Sequence, residues 1–253
     1  QPIYEMLEPC FDGQISILVV NARHMKNVPG RKTDMRDAQW IATLLRAGLL
    51  KGSFIPDKTF RELRHLTRYR KSIVHDITAQ KNRIDKFLQS SGFRFTAFLS
   101  DAFGASGRNI IRHLMEYGNI SREALDRCLK TQTRKRIDEI LIDLNGSLSE
   151  HQRGFLRMIF GHLEALEQHR HTVEDAITKE ITKHEEALSL LCSIPGIDVT
   201  AAAAIIAEIG TDMSAFPDSQ HICSWAGLSP GNNESAGKRK SAHINKGNPY
   251  LKS

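Results

Sequence analysis

Residues 59–88 read TFRELRHLTRYRKSIVHDITAQKNRIDKFL. No proline or glycine interrupts them. Leu63, Leu66, Ile73, Ile77, Ile84 and Leu88 recur at steps of three, four and seven. That is the period of one helix face, and the spacing predicts a single long amphipathic helix. A second series, Arg61, Arg64, Arg68 and Lys71, keeps its own three–four spacing. At about 100° per residue it lies roughly opposite the apolar stripe. Two readings compete for it. It is a solvated face, or it is a row of cations set for a phosphate backbone. Solvated faces mix signs, whereas this one has Glu62 and little else, which favours nucleic-acid contact.

On the C-terminal side, Leu141, Leu144, Leu148, Phe155, Ile159, Leu163, Leu166, Val173 and Ile177 repeat near heptad spacing. This predicts helix from about 137 to 186, as a hairpin or a coiled-coil arm. Gly146 and Gly154 are possible breaks. On the N-terminal side, Ile3, Met6 and Leu7 share one face of a short helix that Pro9 stops. ISILVV, 15–20, is a continuous apolar run and reads as a buried strand of a partly parallel sheet. From Asp34 the pattern turns helical, with Ala38, Ile41, Leu44 and Leu45 on one side and Gly48 loosening the end. The expected class is therefore mixed α/β but mostly helical.

The composition changes near residue 187. Pro195-Gly196 separates two helical patterns, the second rich in alanine. A Pro-Gly turn between helices can aim backbone N–H groups at phosphate. IPGID, 194–198, resembles the helix-hairpin-helix phosphate motif, with Gly196 as the candidate contact. That motif carries a second glycine where this chain has Asp198. An acid there repels phosphate, so a purely structural hairpin stands beside the binding reading.

Two constellations could carry chemistry. Asp34 and Asp37 are three apart and share a helix face. They could hold Mg²⁺, which needs only one or two protein carboxylates when water and phosphate complete its shell. Acids at a helix start also serve as caps and dipole partners. On spacing alone, that reading is the simpler one. The other is NNESAGKRKSAHINKGN, 232–248, with neither helical nor strand periodicity. A serine attacking a phosphodiester needs a base, a metal or a dense positive field. Lys238, Arg239, Lys240 and Lys246 could supply that field, and Gly237 and Gly247 could allow close backbone approach. By residue type Ser235 reads more readily as a loop hydroxyl than as a nucleophile. Ser241 competes with it, and His243 is near only in sequence.

The 253 residues carry a net charge of +6, which suits an anionic partner. Four cysteines are scattered without metal-ligand spacing. They read as reduced thiols of a cytoplasmic protein, and the chain shows no membrane-length apolar run and no signal peptide. A start at Gln1 and an end just past Tyr250-Leu251 suggest a fragment.

Taken together, these segments resemble the DEDD insertion-sequence transposases, relatives of the Piv DNA invertases and described as RNA-bridged recombinases. The resemblance rests on NARHMKNVPGRKTDMRDAQWIATLLRAGLL (21–50), LRHLTRYRKSIVHDITAQKNRIDKFL (63–88), LSDAFGASGRNI (99–110), SIPGI (193–197) and SWAGLSPGNNESAGKRKS (224–241). It covers essentially the whole chain. It implies a RuvC-like, ribonuclease-H type domain over 1–110, a helical arm over 111–187 and a serine-bearing transposase domain over 188–253. It implies four metal-binding acids, of which Asp34 and Asp37 match the final pair. The first Asp and the Glu would lie before Gln1, and Glu5 and Glu8 do not match them. Ser235 matches the serine that attacks DNA and becomes covalently linked to it; Ser241 does not.

The resemblance further implies a composite site of Mg²⁺ and serine and a dimer or tetramer. It also implies a structured noncoding RNA that guides DNA recombination. The basic helix at 61–71 would touch RNA or DNA. Two rivals remain: a RuvC-like nuclease using metal-activated water, and an inactive nucleic-acid-binding remnant. One departure follows Ser241. The family continues with Gly-Arg and more cations, and this chain has Ala242-His243-Ile244.

Overall fold

The computed structural model describes residues 2–10, 15–21, 34–50, 52–94, 97–99, 101–229, 233–235, 238–241, 244 and 247–252; the side chains of 2, 34–37, 131–132, 233–235 and 238–241 fall outside that description. Contacts divide the chain into two compact units. One is 1–57 with 214–217, and the other is 58–213 with 218–253. The sequence reading groups helix 59–88 with the N-terminal domain; in the structure it is the spine of the second unit.

In the first unit, helix α1 spans Pro2–Leu7, and a 3-10 turn at Glu8–Cys10 follows it. The apolar face expected on α1 is not buried: Ile3 and Met6 are 73% and 72% exposed. Helix α2 spans Asp34–Arg46 and ends at Gly48, whose N–H reaches the Leu45 carbonyl. Of its expected apolar side only Leu44 is buried. The strand expected over 15–20 does not form. Val20 makes one isolated antiparallel bridge to Gly52, and the Ser53 N–H donates to the Val19 carbonyl at 2.7 Å. A buried strand needs ladder partners on its edges and cover on both faces. Among the described residues only this one bridge is offered, so Ile15, Leu18 and Val19 stay exposed. The described part of this unit is thus helical, in keeping with the mostly helical class expected.

The second unit is built on two long helices, α3 at Lys58–Ser90 and α8 at Glu150–Ile181. They run antiparallel. Phe87 meets Phe155 at 5.1 Å between ring centres, Gln80 Nε2–H donates to the Ile159 carbonyl at 2.6 Å, and Arg70 bridges Glu174 at 2.7 Å. Ser149 starts α8 with a reciprocal capping box to Gln152. The helix expected over 137–186 is therefore not one hairpin with itself. Those of its heptad-like residues that lie on α8 pack with α3 in one buried core. Of the two candidate breaks, Gly146 lies between helices and Gly154 lies inside α8.

Between them in sequence, α4 at Ala105–Tyr117, α5 at Arg122–Cys128, α6 at Thr131–Arg134 and α7 at Ile137–Asp143 pack at one end of the pair. Phe93, Ile110, Ile111, Leu114 and Leu125 are fully buried there. At the other end, α9 at Glu185–Cys192 leads into α10 at Val199–Ile209, which packs on α3 through Ala203, Ile206 and Ala207. Helix α11, Ser219–Ala226, precedes a two-stranded ribbon. Its strands are β1, Asn233–Ser235, and β2, Lys238–Ser241.

Candidate functional site

The basic stripe of α3 is where the structure departs most from the sequence expectation. Arg61 and Arg64 are only 4% and 8% exposed. The reason is that α3 has two partners. Helix α8 covers the apolar stripe, and α10 covers much of the face opposite. Arg64 Nε–H donates to the Ala207 carbonyl at 3.0 Å, and its terminal nitrogen donates to the Glu208 carbonyl. Both carbonyls belong to the last turn of α10, where no intrahelical donor is left for them. Arg64 is thus the C-terminal cap of a neighbouring helix. A cation also suits the negative end of the helix dipole.

Arg68 has a different partner. Its Nε–H and a terminal N–H donate to the two carboxylate oxygens of Glu208 at 2.8 and 2.9 Å. Glu208 is 1% exposed, and Arg64 Nε lies 3.1 Å from it as well. Burial pushes the Arg64 guanidinium below its ordinary range, against the opposing pull of Glu208. The Glu208 hydrogen bond pushes Arg68 above its ordinary range. Asn248 completes the cluster, its Nδ2–H donating to Glu208 Oε2 at 2.6 Å. Tyr250 lies under Arg68 and Lys71, whose cationic groups sit 4.3 and 5.3 Å from the ring centre. Of the expected basic row, Arg64 and Arg68 are engaged within the chain, and Lys71 is exposed at its end.

Beside this cluster lies a cleft of about 740 Å³ between α3, α8 and α10. Ile177 and Ile181 are among its apolar wall residues, and Arg68, Lys71 and Tyr250 stand on one side. Arg70, Glu174, Asp198 and Glu208 also line it, so its formal charges balance.

The turn at 194–198 forms as expected, with Gly196 at φ +91°. Only glycine holds that conformation without strain. Asp198, the departure from the phosphate motif, has a local role. Its carboxylate accepts the Ala201 N–H at 2.7 Å as the N-cap of α10. An acid is thereby bonded at the helix start that a phosphate would otherwise seek.

The stretch that reads as an aperiodic loop is a hairpin. Strands β1 and β2 pair antiparallel with Ser235 opposite Lys238 and Glu234 opposite Arg239, and the register shifts between Asn233 and Glu234. The backbone of Ser235, Lys238, Arg239, Lys240 and Ser241 is therefore placed, on both strands of one ribbon. Lys246, Gly237 and His243 lie outside the described residues. Gly247 lies so close to the Ala226–Gly227 peptide that a Cβ there would overlap the Ala226 carbonyl. The close approach expected of Gly247 is made to protein backbone.

Asp34 and Asp37 stand in the first turn of α2, in the first unit, while Ser235 belongs to the second. Helical backbone sets the two acids on one side. As a donor set, a pair of carboxylates fits Mg²⁺ that keeps water and phosphate ligands. Among the described residues no three His, Cys, Asp or Glu side chains converge as a metal site. No described helix is long and apolar enough to cross a membrane.

Sequence reasoning missed Glu208, Asn248 and Tyr250. Glu208 did carry a signal: it is the only charge in VTAAAAIIAEI. A lone acid on an otherwise apolar helix must find a cation, and the arginine series of α3 was available.

Comparison with known proteins fits this layout. A family model described as "Transposase", of the DEDD IS110 type, matches residues 3–92. A second, "Transposase IS116/IS110/IS902 family", matches residues 188–253. The chain is 26% identical over 222 residues to a Streptomyces coelicolor protein named "Insertion element IS110 uncharacterized 43.6 kDa protein", covering 80% of this chain and 53% of that one. It spans about half the length of that relative. The two family matches together take in well over half of the sequence, one at each end. By both, the chain belongs to the IS110 family of transposases.

Proposed function

We propose that the protein is a DNA transposase or site-specific recombinase in which Ser235 is the nucleophile. The observation that carries this reading is the hairpin. Within the segment matched by the IS116/IS110/IS902 model, the chain forms a ribbon whose register sets Ser235 directly across from Lys238. A serine at a strand end beside cationic positions suits attack on a phosphodiester. The Ser235 oxygen forms a new ester to phosphorus while the strand's bridging oxygen leaves. One proton departs from the serine and one is taken up by the leaving oxygen. One phosphoester bond replaces another, so strand exchange needs no outside energy source.

Asp34 and Asp37 would hold Mg²⁺, which when bound neutralises phosphate charge and polarises the P–O bond. Lys238, Arg239, Lys240 and Lys246 supply the positive field, and Gly196 and Lys71 add backbone and side-chain contacts to nucleic acid. With Arg64 and Arg68 engaged by Glu208, the nucleic-acid surface we propose centres on the hairpin rather than on α3. The partners are DNA and a structured noncoding RNA that supplies sequence choice by pairing. The active form is a homo-oligomer, acting on DNA in the cytoplasm.

The test uses full-length protein with labelled donor and target DNA and its co-purifying RNA. Ser235→Ala should abolish both recombination and the covalent protein–DNA adduct while RNA binding persists. Ser241→Ala should leave the adduct. An adduct surviving in Ser235→Ala removes Ser235 from the mechanism. Free cut ends with no adduct in the wild type would mark a nuclease that uses water.

A further inference from the structure

The segment carrying Ser235 is closed at its base. It leaves α11 at Gly227, where the Gly227 N–H bonds the Ser224 carbonyl at 3.1 Å and the Leu228 N–H bonds the Cys223 carbonyl at 2.8 Å. It returns at Gly247, packed on the Ala226–Gly227 peptide. The two ends of the loop therefore touch. The next residue, Asn248, uses both ends of its amide. Nδ2–H donates to Glu208 Oε2 at 2.6 Å, and Oδ1 accepts the Tyr250 N–H at 2.9 Å. Those two bonds fix which way the amide faces. Glu208 is itself locked from the other side, because Arg68 fills a lone pair on each of its oxygens.

A ribbon with strands of three and four residues is marginally stable alone. Its place must be set by what anchors its ends. We propose that Glu208 and Asn248 are positioning residues for the Ser235 hairpin: a buried carboxylate on α10 pins the returning end of the loop to the rigid α3–α10 contact. This rests on the reading of Ser235 as the nucleophile. Neither residue touches DNA. They act by fixing where the hairpin starts and ends. Asn is the required type at 248. An aspartate would offer acceptors where Glu208 needs a donor, and would set two carboxylates against each other.

The test compares wild-type full-length protein with Asn248→Asp, with Asn248→Ala, and with Ser235→Ala. Asn248→Ala removes the donor to Glu208 without adding a charge. Two readouts are taken: amide hydrogen exchange over 233–241, and the rate of adduct formation on preassembled nucleic-acid complexes. In Asn248→Asp the hairpin amides should exchange about fivefold faster or more, as expected for one lost hydrogen bond, while α3 and α10 keep their protection. Adduct formation should fall by about ten- to a hundredfold, the scale of an ångström of misplacement, with nucleic-acid affinity unchanged. Asn248→Ala, which brings no repelling charge, should show the same two losses.

Unchanged hairpin exchange in Asn248→Asp would overturn the proposal. So would losses confined to Asn248→Asp and absent from Asn248→Ala, because the added charge and not the missing hydrogen bond would then be their cause. If Ser235→Ala still forms the adduct, the nucleophile reading fails, and the exchange measurement alone decides the pin.

Discussion

Glu208 shows how a single residue can redirect the meaning of a whole stripe. It places one buried carboxylate among Arg64, Arg68 and Asn248. Such a cluster is not a large net source of stability, since desolvating three charges offsets most of their attraction. Removing one member is a different matter: Arg64 keeps only the α10 carbonyls, and Arg68 loses its bidentate partner. Glu208→Gln should therefore cost about 1–3 kcal/mol. Urea unfolding of the single variant would check it, and a loss below about 1 kcal/mol would mean that solvent reaches the arginines. Arg64 is the residue that suffers most, since burial already holds its guanidinium below the ordinary range.

Helix ends are the elements on which the C-terminal part is assembled. Asp198 begins α10 by accepting the Ala201 N–H, and Asp218 begins α11 by accepting the His221 N–H at 2.9 Å. Asp198→Ala should cost about 1 kcal/mol, and Asp198→Ser only a few tenths, measured by thermal melts. Asp218 adds a pH dependence. Its carboxylate also pairs with the His221 ring at 2.8 Å, and the His221 side chain and backbone hydrogen bonds hold its pKa below the usual carboxylate range. A depressed carboxylate contributes stability above the unfolded pKa, and that contribution is lost as pH falls through the folded value. Asp218→Asn keeps a cap but cannot titrate. Its melting temperature should fall less steeply than the wild type's as pH is lowered below about 4. Parallel curves for the two proteins would assign the acid sensitivity elsewhere.

At the scale of the molecule, α3 is the common element of the second unit. It packs on α8 along its length, runs into the Phe93 core near one end and meets α10 near the other. A unit organised this way should melt as one. Leu163, fully buried on α8, is a site for checking that. Leu163→Ala should cost about 2–5 kcal/mol and leave a single transition, read by circular dichroism and by fluorescence together. Two separated transitions would show that the end packed around Phe93 folds independently.

How much of this was legible in the sequence depends on range. The long helix α3, the start of α2 at Asp34, the turn at 194–198 and the family resemblance carried by segments at both ends were all readable. Each is specified by neighbours within a few residues or by a contiguous motif. The fate of the arginine stripe was not readable, because periodicity shows that a face exists and not what covers it. Arg64 and Arg68 find Glu208 across some 140 residues of chain. The strand at 15–20 failed for the same kind of reason: β structure needs a partner, and the run of apolar residues cannot supply its own. The hairpin at 233–241 was hidden because its charged residues lack the alternation of a half-buried strand. Local sequence set the helices, their caps and the candidate nucleophile. Tertiary packing alone decided that two of the basic residues are a helix cap and an ion pair, and that the loop carrying Ser235 is anchored to them, because burial and pairing are properties of a neighbour that the local sequence does not name.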